Sequence, residues 1–464
     1  MHRVSGIDAA FLYGETADWH MHVSAVVVMD PTKASTPFTF ERLIDHVAKR
    51  IHLVPQFRWR LIEVPFGLDR PVFVEDPDFT VEAHVHRVGV PAPGGPEQLG
   101  NLVGELVGIK LDRNRPLWEF WLLEGLEGGK VALLAKVHHA IIDGVSGSEL
   151  ATVIMDLEPD PPPPEPEPPR EVEPLPDQLQ LWARGVGHTF LTPVRMARFG
   201  VQTVRQAGRF LPFVQRDEPT PPVPFQAPRV SFNDHLTPNR RFAYTSVSLE
   251  QIKDVRRATG VKVNDVILAV CAGALRRYLD ERDELPTSPL IAQVPVSLRS
   301  DDDKTGVGTK VGAMFASLAT EIDDPLERLA AIHESTQGAK EMQKALAAEK
   351  IMGISETAPP AMINLAARTY TQAGLDRSIP PIMNLIISNV PGPPFPIYCA
   401  GAEIEALYPM GPLLYGTGLN ITVFSYQDSV DFGFLTCREL VPDSWRLADA
   451  VHEALAELHA AACG

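Results

Sequence analysis

The chain has 464 residues, of which 45% are hydrophobic and 22% charged, and its formal net charge is −17. This length supports about two or three domain cores and excludes a small disulfide-stapled scaffold. Four scattered cysteines, at positions 271, 399, 437 and 463, are too few for a disulfide framework or a zinc ribbon and favour a reducing compartment. The acidic balance argues against a nucleic-acid binder, which normally carries basic excess.

Targeting and membrane-spanning signals are missing from the sequence. Residues 1–15 lack the basic region and apolar core of a secretory signal. Apolar runs such as 23–29 fall well short of the roughly 18 residues that a spanning helix needs. We therefore expect a cytoplasmic location without a transmembrane helix.

The first 158 residues alternate between strand and helix patterns. We predict strands over 22–29, 81–90, 117–126 and 131–137, and helices over 40–51, 97–109 and 146–157. Such alternation indicates an α/β domain over residues 1–158.

A linker follows at residues 159–177, where ten of nineteen residues are proline and six are acidic. Proline removes backbone donors and like charges repel, so this stretch suits neither a helix nor a sheet. We expect a semi-rigid, solvated connection between two halves of the chain.

The next segment, 178–225, reverses the charge. Six arginines and no acidic residue occur between positions 178 and 216, and apolar residues, Trp182 among them, recur at roughly helical spacing, with a break expected at Pro193. This basic amphipathic connector could lie on an anionic membrane. It could equally pack on the core with its arginines in solvent.

The second half, 226–464, again mixes strands and helices. We predict strands over 241–249, 290–298, 313–318, 383–388, 419–426 and 430–436, and helices over 264–281 and 444–459. The two halves therefore look like α/β domains of related type.

The stretch 131–144 carries the most chemical information. A strand runs into His138 and His139, and a short turn then leads to Asp143 and Gly144. Because side chains alternate along a strand, the two histidines should point to opposite sides. One imidazole could act as a general base, with Asp143 orienting it or pairing with a distant arginine and Gly144 permitting the turn.

Other interpretations of this stretch exist. A metal site would need further converging ligands, and adjacent histidines on a strand diverge. Asp143 could simply cap the following helix while the histidines fill the strand end. A serine nucleophile at Ser146 is excluded because the elbow motif would need glycine at position 148, which is Ser148.

The order of motifs resembles a known family. Residues 138–144 (HHAIIDG) resemble the HHxxxDG motif of the bacterial wax ester synthase/diacylglycerol acyltransferase family, and more broadly the HxxxD motif of CoA-dependent acyltransferases. The supporting matches are PLW at 116–118, ND at 264–265, PVSLR at 295–299 and SNVPGP at 388–393. The chain departs from the family at Thr309, where relatives often carry asparagine between two glycines.

The resemblance implies a fold and roles for single residues. It implies an α/β fold of two chloramphenicol-acetyltransferase-like mixed-sheet domains, a pseudo-dimeric pair of lobes with the active site between them. His139 would be the general base and His138 a supporting residue, while Asp143 would pair with Arg299 as a structural link. The family's ND motif falls on Asn264 and Asp265, which could serve the active site, or only cap the helix and complement its dipole.

The resemblance also implies a reaction. A long-chain acyl group would move from acyl-CoA, a co-substrate, to diacylglycerol or a long-chain alcohol, without an acyl-enzyme, a metal or a resident cofactor. Lipid substrates imply peripheral contact with a membrane or lipid droplet, with 178–216 as the candidate segment. The alternatives are a different alcohol or amine acceptor, and a degenerate member that binds lipid without turnover.

Overall fold

The computed structural model describes most of both halves of the chain. The described residues are 1–34, 36–65, 68–142, 151, 153–167, 174–177, 179–182, 226–297, 311–346 and 380–464. All structural statements below refer to these residues.

The helices and strands alternate through both halves, as the sequence patterns predict. In the first half they are β1 (His2–Arg3), α1 (Gly6–Gly14), β2 (His22–Asp30), α2 (Phe40–Arg50), β3 (Trp59–Ile62), β4 (Val72–Glu75), β5 (Val85–Gly89), α3 (Pro96–Gly108), β6 (Trp118–Glu124), β7 (Val131–His138) and α4 (His139–Ile142). In the second half they are β8 (Arg240–Ser248), α5 (Leu249–Thr259), α6 (Val263–Asp280), β9 (Ile291–Ser297), β10 (Val311–Ser317), α7 (Pro325–Leu346), β11 (Leu385–Pro391), β12 (Tyr398–Cys399), β13 (Ala402–Met410), β14 (Leu419–Tyr426), β15 (Ser429–Cys437) and α8 (Ser444–Cys463).

The N-terminal lobe is built on a six-stranded sheet in the order β12-β13-β2-β7-β6-β5. Its central strands are rich in β-branched and apolar residues, and β2 runs antiparallel to β7 with Val27 opposite Leu133. Both of these side chains are buried in the core of the lobe. A separate three-stranded sheet, β1-β4-β3, lies beside this core.

The C-terminal lobe is built on a second six-stranded sheet in the order β10-β9-β11-β14-β15-β8. The sheet is mixed, because β11 runs parallel to both β9 and β14 while the other pairs are antiparallel. Helices α5, α6, α7 and α8 pack against it in one continuous apolar core. The predicted fold class of two mixed-sheet α/β lobes is confirmed.

A strand crossover joins the two lobes. Residues 398–410 belong to the C-terminal half of the sequence, and we predicted no strand over them. In the structure β13 leaves that half and pairs with β2, with Leu407 opposite Val27. Strand pairing is a long-range interaction, so the local pattern of β13 could not reveal its partner.

Helix α3 and strand β8 form a second connection between the lobes. Gly100, Gly104 and Gly108 recur every four residues and therefore share one face of α3. A Cβ at Gly104 would lie 2.7 Å from the carbonyl oxygen of Arg240, and one at Gly108 would lie 3.0 Å from that of Pro238. The glycines thus let the helix lie directly on the backbone of β8 and of the residues before it.

Two predicted elements are shorter than the sequence analysis expected. The strand predicted over 81–90 is limited to β5, because residues 81–83 form a single 3-10 turn. The helix predicted over 146–157 lies partly outside the described residues. In the described residues the helix ends at Ile154, and Asp156 forms a β-bridge with Tyr398.

The described part of the linker is mostly exposed to solvent, as we expected, but two of its acidic side chains pair with arginines of the N-terminal lobe. Arg42 lies 2.8 Å from Asp160, and the buried Arg58 lies 2.6 Å from Glu167. Beyond the linker, Leu181 is buried, whereas Trp182, which we predicted on the apolar face, is 45% exposed. Positions 183–225 of the basic connector lie outside the described residues.

Among the described residues, no single helix is both long and apolar enough to cross a membrane. Only the bent pair α5 and α6, which meet at 109°, reaches the required length and composition when both helices are counted together.

Candidate active site

The two adjacent histidines lie where β7 ends and α4 begins, and their backbone is held from both sides. The N–H of His138 donates to the carbonyl oxygen of Leu117 at 2.9 Å. The N–H of His139 donates to the carbonyl oxygen of Met21 at 2.8 Å. Neighbouring strand ends therefore fix the position of the histidine pair before any side-chain contact is considered.

His138 faces inward and has a defined tautomer. Its side chain is buried, its Nδ1 accepts the N–H of Ala140 at 3.1 Å, and its Nε2 lies 3.3 Å from Oε1 of Glu15. In a neutral imidazole one nitrogen accepts while the other donates, so the proton belongs on Nε2, facing the carboxylate. We infer this tautomer from the two contacts.

His139 is the first residue of α4 and is less buried than His138. Its side chain is only partly buried, and its ring lies against Phe11 of α1, with 4.4 Å between ring centroids. Of the two imidazoles, His139 is therefore the one that a substrate could reach.

Glu15, at the end of α1, forms the centre of a buried charged cluster. Its Oε1 accepts the N–H of Met21 at 3.0 Å, and its Oε2 lies 2.9 Å from Arg113 and 3.6 Å from Lys110. Burial alone would raise the pKa of Glu15, but the neighbouring imidazole of His138 and the N–H of Met21 hold it well below its usual value. Glu15 is therefore an ionised carboxylate at neutral pH.

His22, directly opposite His138 on β2, lies at the edge of this cluster. Burial first, and the charge of Lys136 second, hold the pKa of His22 well below its ordinary value. Its ring is therefore neutral at pH 7, although Nε2 lies 3.8 Å from Glu15.

The ND motif of the second half lies at the start of α6. The side-chain oxygen of Asn264 accepts from the amide of Asn389 at 3.2 Å, so the ND and SNVPGP motifs meet in space. Asp265 faces α7 instead and is fully buried, accepting from His333 at 2.6 Å and from Thr336 at 2.9 Å. Its contacts hold α6 against α7.

Two further motif residues have packing roles. Trp118 of the PLW block is fully buried, stacks on Phe57 with 5.1 Å between ring centroids, and donates its indole N–H to the Phe57 carbonyl oxygen at 2.7 Å. Gly392 of the SNVPGP segment lies so close to the Ser425 carbonyl oxygen and the Phe424 ring that a Cβ would clash with both. Both motifs shape the strands around the site.

Several predicted residues lie outside the described part of the chain. These are Asp143, Gly144, Arg299 and Thr309. The pairing of Asp143 with Arg299 and the role of Gly144 in the turn therefore stay predictions.

Sequence reasoning missed Glu15 and gave Phe11 no role. Phe11 lies in the stretch 5–11 (SGIDAAF), which also resembles the family and offered a weak signal. Glu15 had none, because a single acidic residue after a short helix is ordinary and its partner His138 is 123 positions away.

The strand orders, the crossover and the packing of helices on both sheets define a two-lobed acyltransferase fold of the CoA-dependent type. Trichothecene 15-O-acetyltransferase from Fusarium sporotrichioides matches it with a TM-score of 0.58 over 98% of this chain and 95% of its own, at 12% identity. The starter condensation domain of rhizomide synthetase matches with a TM-score of 0.51 over 100% and 94%, also at 12% identity.

The family follows from closer comparisons. Residues 4–267 match the wax ester synthase/diacylglycerol acyltransferase catalytic domain, and residues 307–459 match the C-terminal domain of the same family. The chain belongs to the wax ester synthase/diacylglycerol acyltransferase family and is an acyltransferase.

Individual relatives agree over the full length. The wax ester synthase/diacylglycerol acyltransferase of Marinobacter aquaeolei VT8 matches with a TM-score of 0.72, 31% identity and 100% coverage of both chains. A Mycobacterium tuberculosis protein named diacylglycerol O-acyltransferase Rv1760 is 38% identical over 461 residues, 99% of this chain and 90% of its own. The diacylglycerol O-acyltransferase tgs2 of the same species is 35% identical over 455 residues, 98% of each chain.

Proposed function

We propose that this protein transfers a long-chain acyl group from acyl-CoA to the hydroxyl of diacylglycerol, giving triacylglycerol, or of a long-chain alcohol, giving a wax ester. The observation that carries the proposal is the partly exposed ring of His139 at the fixed end of β7, in a chain whose full length matches this family. Relatives named diacylglycerol O-acyltransferases support the acceptor class.

His139 serves as general base in this proposal. The acceptor hydroxyl gives its proton to the imidazole while its oxygen attacks the thioester carbonyl carbon. The tetrahedral oxyanion then collapses and the C–S bond breaks. The imidazolium then gives its proton to the CoA thiolate, so no net proton is released. The acyl group passes directly to the acceptor oxygen, so no acyl-enzyme forms. The proposed reaction steps use no metal, no resident cofactor and no protein nucleophile.

The remaining predicted residues position the base. His138 is buried with its Nε2 3.3 Å from Glu15, which fits a supporting role. Asp143, paired with Arg299, would stiffen the turn that follows His139. Asp265, through its contacts with α7, would fix the start of α6 and so hold Asn264 against Asn389.

The base assignment predicts that His139→Ala abolishes most acyl transfer while leaving the fold intact. General-base catalysis contributes roughly 10²–10⁴ in rate, so kcat should fall by about that factor. The measurement is release of CoA thiol from a long-chain acyl-CoA in the presence of diacylglycerol. His452→Ala, which removes an exposed histidine on α8, is the matched control and should keep wild-type activity. A folded His139→Ala enzyme with near-normal kcat would refute the assignment.

The same assay separates the acceptor classes. Diacylglycerol and hexadecanol should each accelerate thiol release, whereas an amine acceptor should not. Turnover with the amine alone would place the protein with the amide-forming members of the fold. Lipid binding without any thiol release would identify a degenerate, non-catalytic member.

We further propose that the basic connector 178–216 brings the enzyme to an anionic membrane or lipid-droplet surface where its lipid substrates reside. Its six arginines and absence of acids support electrostatic attraction to such a surface. At its described start, Leu179 and Trp182 are 71% and 45% exposed, and tryptophan favours the interface between water and lipid.

A further inference from the structure

Helix α1 connects the site to the rest of the N-terminal lobe. It begins at the Ser5 cap, where the side chain accepts the N–H of Asp8, and it ends one residue before Glu15. Phe11, in its second turn, carries the ring that lies against His139. One short helix thus presents contacts to both histidines, Phe11 to His139 and Glu15 to His138.

The carboxylate of Glu15 joins three parts of the chain that are distant in sequence. It belongs to the residue that directly follows α1, accepts the N–H of Met21 just before β2, and faces the Nε2 of His138 at the end of β7. Only 3% of its side chain is exposed. A charge buried this deeply is stable only with close partners, which Arg113 and Lys110 provide at its other oxygen.

We propose that Glu15 is a positioning residue for acyl transfer, acting through His138 to fix the direction of the His139 ring. This inference rests on the proposed role of His139 as the base. A carboxylate can only accept hydrogen bonds, so it requires a proton on Nε2 of His138. That leaves Nδ1 free to accept the N–H of Ala140, which sets the first turn of α4, where His139 lies.

The negative charge, and not only the shape of the side chain, is needed for this arrangement. A neutral carboxamide at position 15 could present either its oxygen or its NH₂ group to His138, and the second choice would favour the opposite tautomer. Nδ1 would then carry the proton and lose its bond to Ala140. The start of α4 would loosen, and the His139 ring would sample directions unsuited to the acceptor hydroxyl.

The test is steady-state kinetics of Glu15→Gln. We expect kcat to fall by about 10–100-fold, because small errors in the placement of a reacting group cost that much. The KM for acyl-CoA should stay within about twofold of wild type, since the base does not hold the thioester substrate. Glu63→Gln is the matched control, because Glu63 also pairs with Arg113 but is largely exposed. It should leave both constants unchanged.

A second variant keeps the test decisive if Glu15→Gln fails to fold. Glu15→Asp retains the charge but withdraws it by about one C–C bond, roughly 1.5 Å, from His138. It too should lower kcat at unchanged KM, by less than the glutamine variant. Wild-type kcat in the folded variants would overturn the positioning role.

A His139→Ala enzyme assayed in parallel separates the two proposals. If it is inactive while folded Glu15 variants keep full kcat, only the role of Glu15 fails. If it stays active, the base assignment and the role of Glu15 both fail. Histidine ¹⁵N shifts add an independent readout, since a single Nε2–H tautomer of His138 in wild type should become a mixture in Glu15→Gln.

Discussion

Two identical side chains next to each other in sequence have different surroundings, and we propose different roles for them. His138 is buried, accepts a hydrogen bond at Nδ1, and has its Nε2 3.3 Å from the carboxylate of Glu15. His139 is partly exposed beside an aromatic ring. In the proposed mechanism the base must meet the acceptor hydroxyl, which the partial exposure of His139 would allow.

Buried histidines elsewhere in the N-terminal lobe affect stability instead of catalysis. His46 on α2 is buried and donates from Nε2 to the carbonyl oxygen of Ile154 at 3.0 Å. Burial, followed by the charge of Arg50, lowers the pKa of His46 from 6.5 to about 4. The neutral ring thus holds the chain at Ile154, just before the linker, against α2.

This depressed pKa predicts a specific pH dependence of unfolding. In the unfolded chain His46 binds a proton below about pH 6.5, whereas in the folded chain it does so only near pH 4. The contribution of His46 to the free energy of unfolding is therefore fully present above pH 6.5 and is lost as the pH falls. Protonation of His46 should lower the free energy of unfolding by about 2 kcal/mol at pH 5. Urea unfolding at pH 7.5 and pH 5 should show a smaller difference in His46→Gln than in wild type.

Substitution of an exposed histidine provides the comparison. His452→Gln should leave the wild-type difference between the two pH values unchanged. An equal pH dependence in His46→Gln and wild type would show that His46 does not contribute.

At the scale of elements, the glycine face of α3 packs very closely on the backbone of β8. A helix can lie on the backbone of a strand only where it has no side chains, and Gly104 meets the carbonyl oxygen of Arg240 directly. Lys136, fully buried on β7, then donates to the carbonyl oxygens of Leu106 and Ile109 at 3.2 and 2.5 Å and caps the end of the helix. The helix is thus fixed along one face and at one end.

Gly104→Ala should therefore destabilise the protein even though alanine favours helices by about 1 kcal/mol over glycine. We expect the free energy of unfolding to fall by about 1–3 kcal/mol, as overpacking against a rigid backbone does. Denaturant titration measures the change. Glu105→Ala, on the exposed side of the same helix, should change stability by less than about 0.5 kcal/mol. A gain of stability in Gly104→Ala would contradict the close packing of α3 on β8.

At the scale of the whole molecule, the lobes share a core. One apolar cluster combines Val26 of β2, Val103 of α3, Phe242 of β8, Tyr408 of β13 and Leu435 of β15. Strand β13 is held in place from the C-terminal lobe as well, because the fully buried Asp431 accepts the N–H of Leu407 at 3.0 Å. The two lobes therefore support each other's folded state.

The proposed attachment to a lipid surface through the basic connector involves the whole molecule. Replacing all six arginines of 178–216 with glutamine should weaken binding to phosphatidylcholine vesicles that contain phosphatidylglycerol by about tenfold or more, since each basic residue near the surface contributes about 1 kcal/mol. Vesicle sedimentation measures the effect, and added salt should reduce it.

A control with the same change of chemistry is Arg256→Gln with Arg257→Gln, two exposed arginines on α5. It should keep wild-type vesicle binding. Unchanged binding of the connector variant would locate the lipid contact elsewhere on the molecule.

The sequence by itself determined the strand and helix patterns of both halves, the histidine pair at a strand end and the family. Each of these depends on periodicity or on motifs within a short stretch of chain. Tertiary structure alone decided that β13 joins the other lobe, that the linker is bound by Arg42 and Arg58, and that Glu15 faces His138. These contacts join residues tens to hundreds of positions apart, so their energy depends on the folded arrangement of the chain and leaves no local pattern in the sequence.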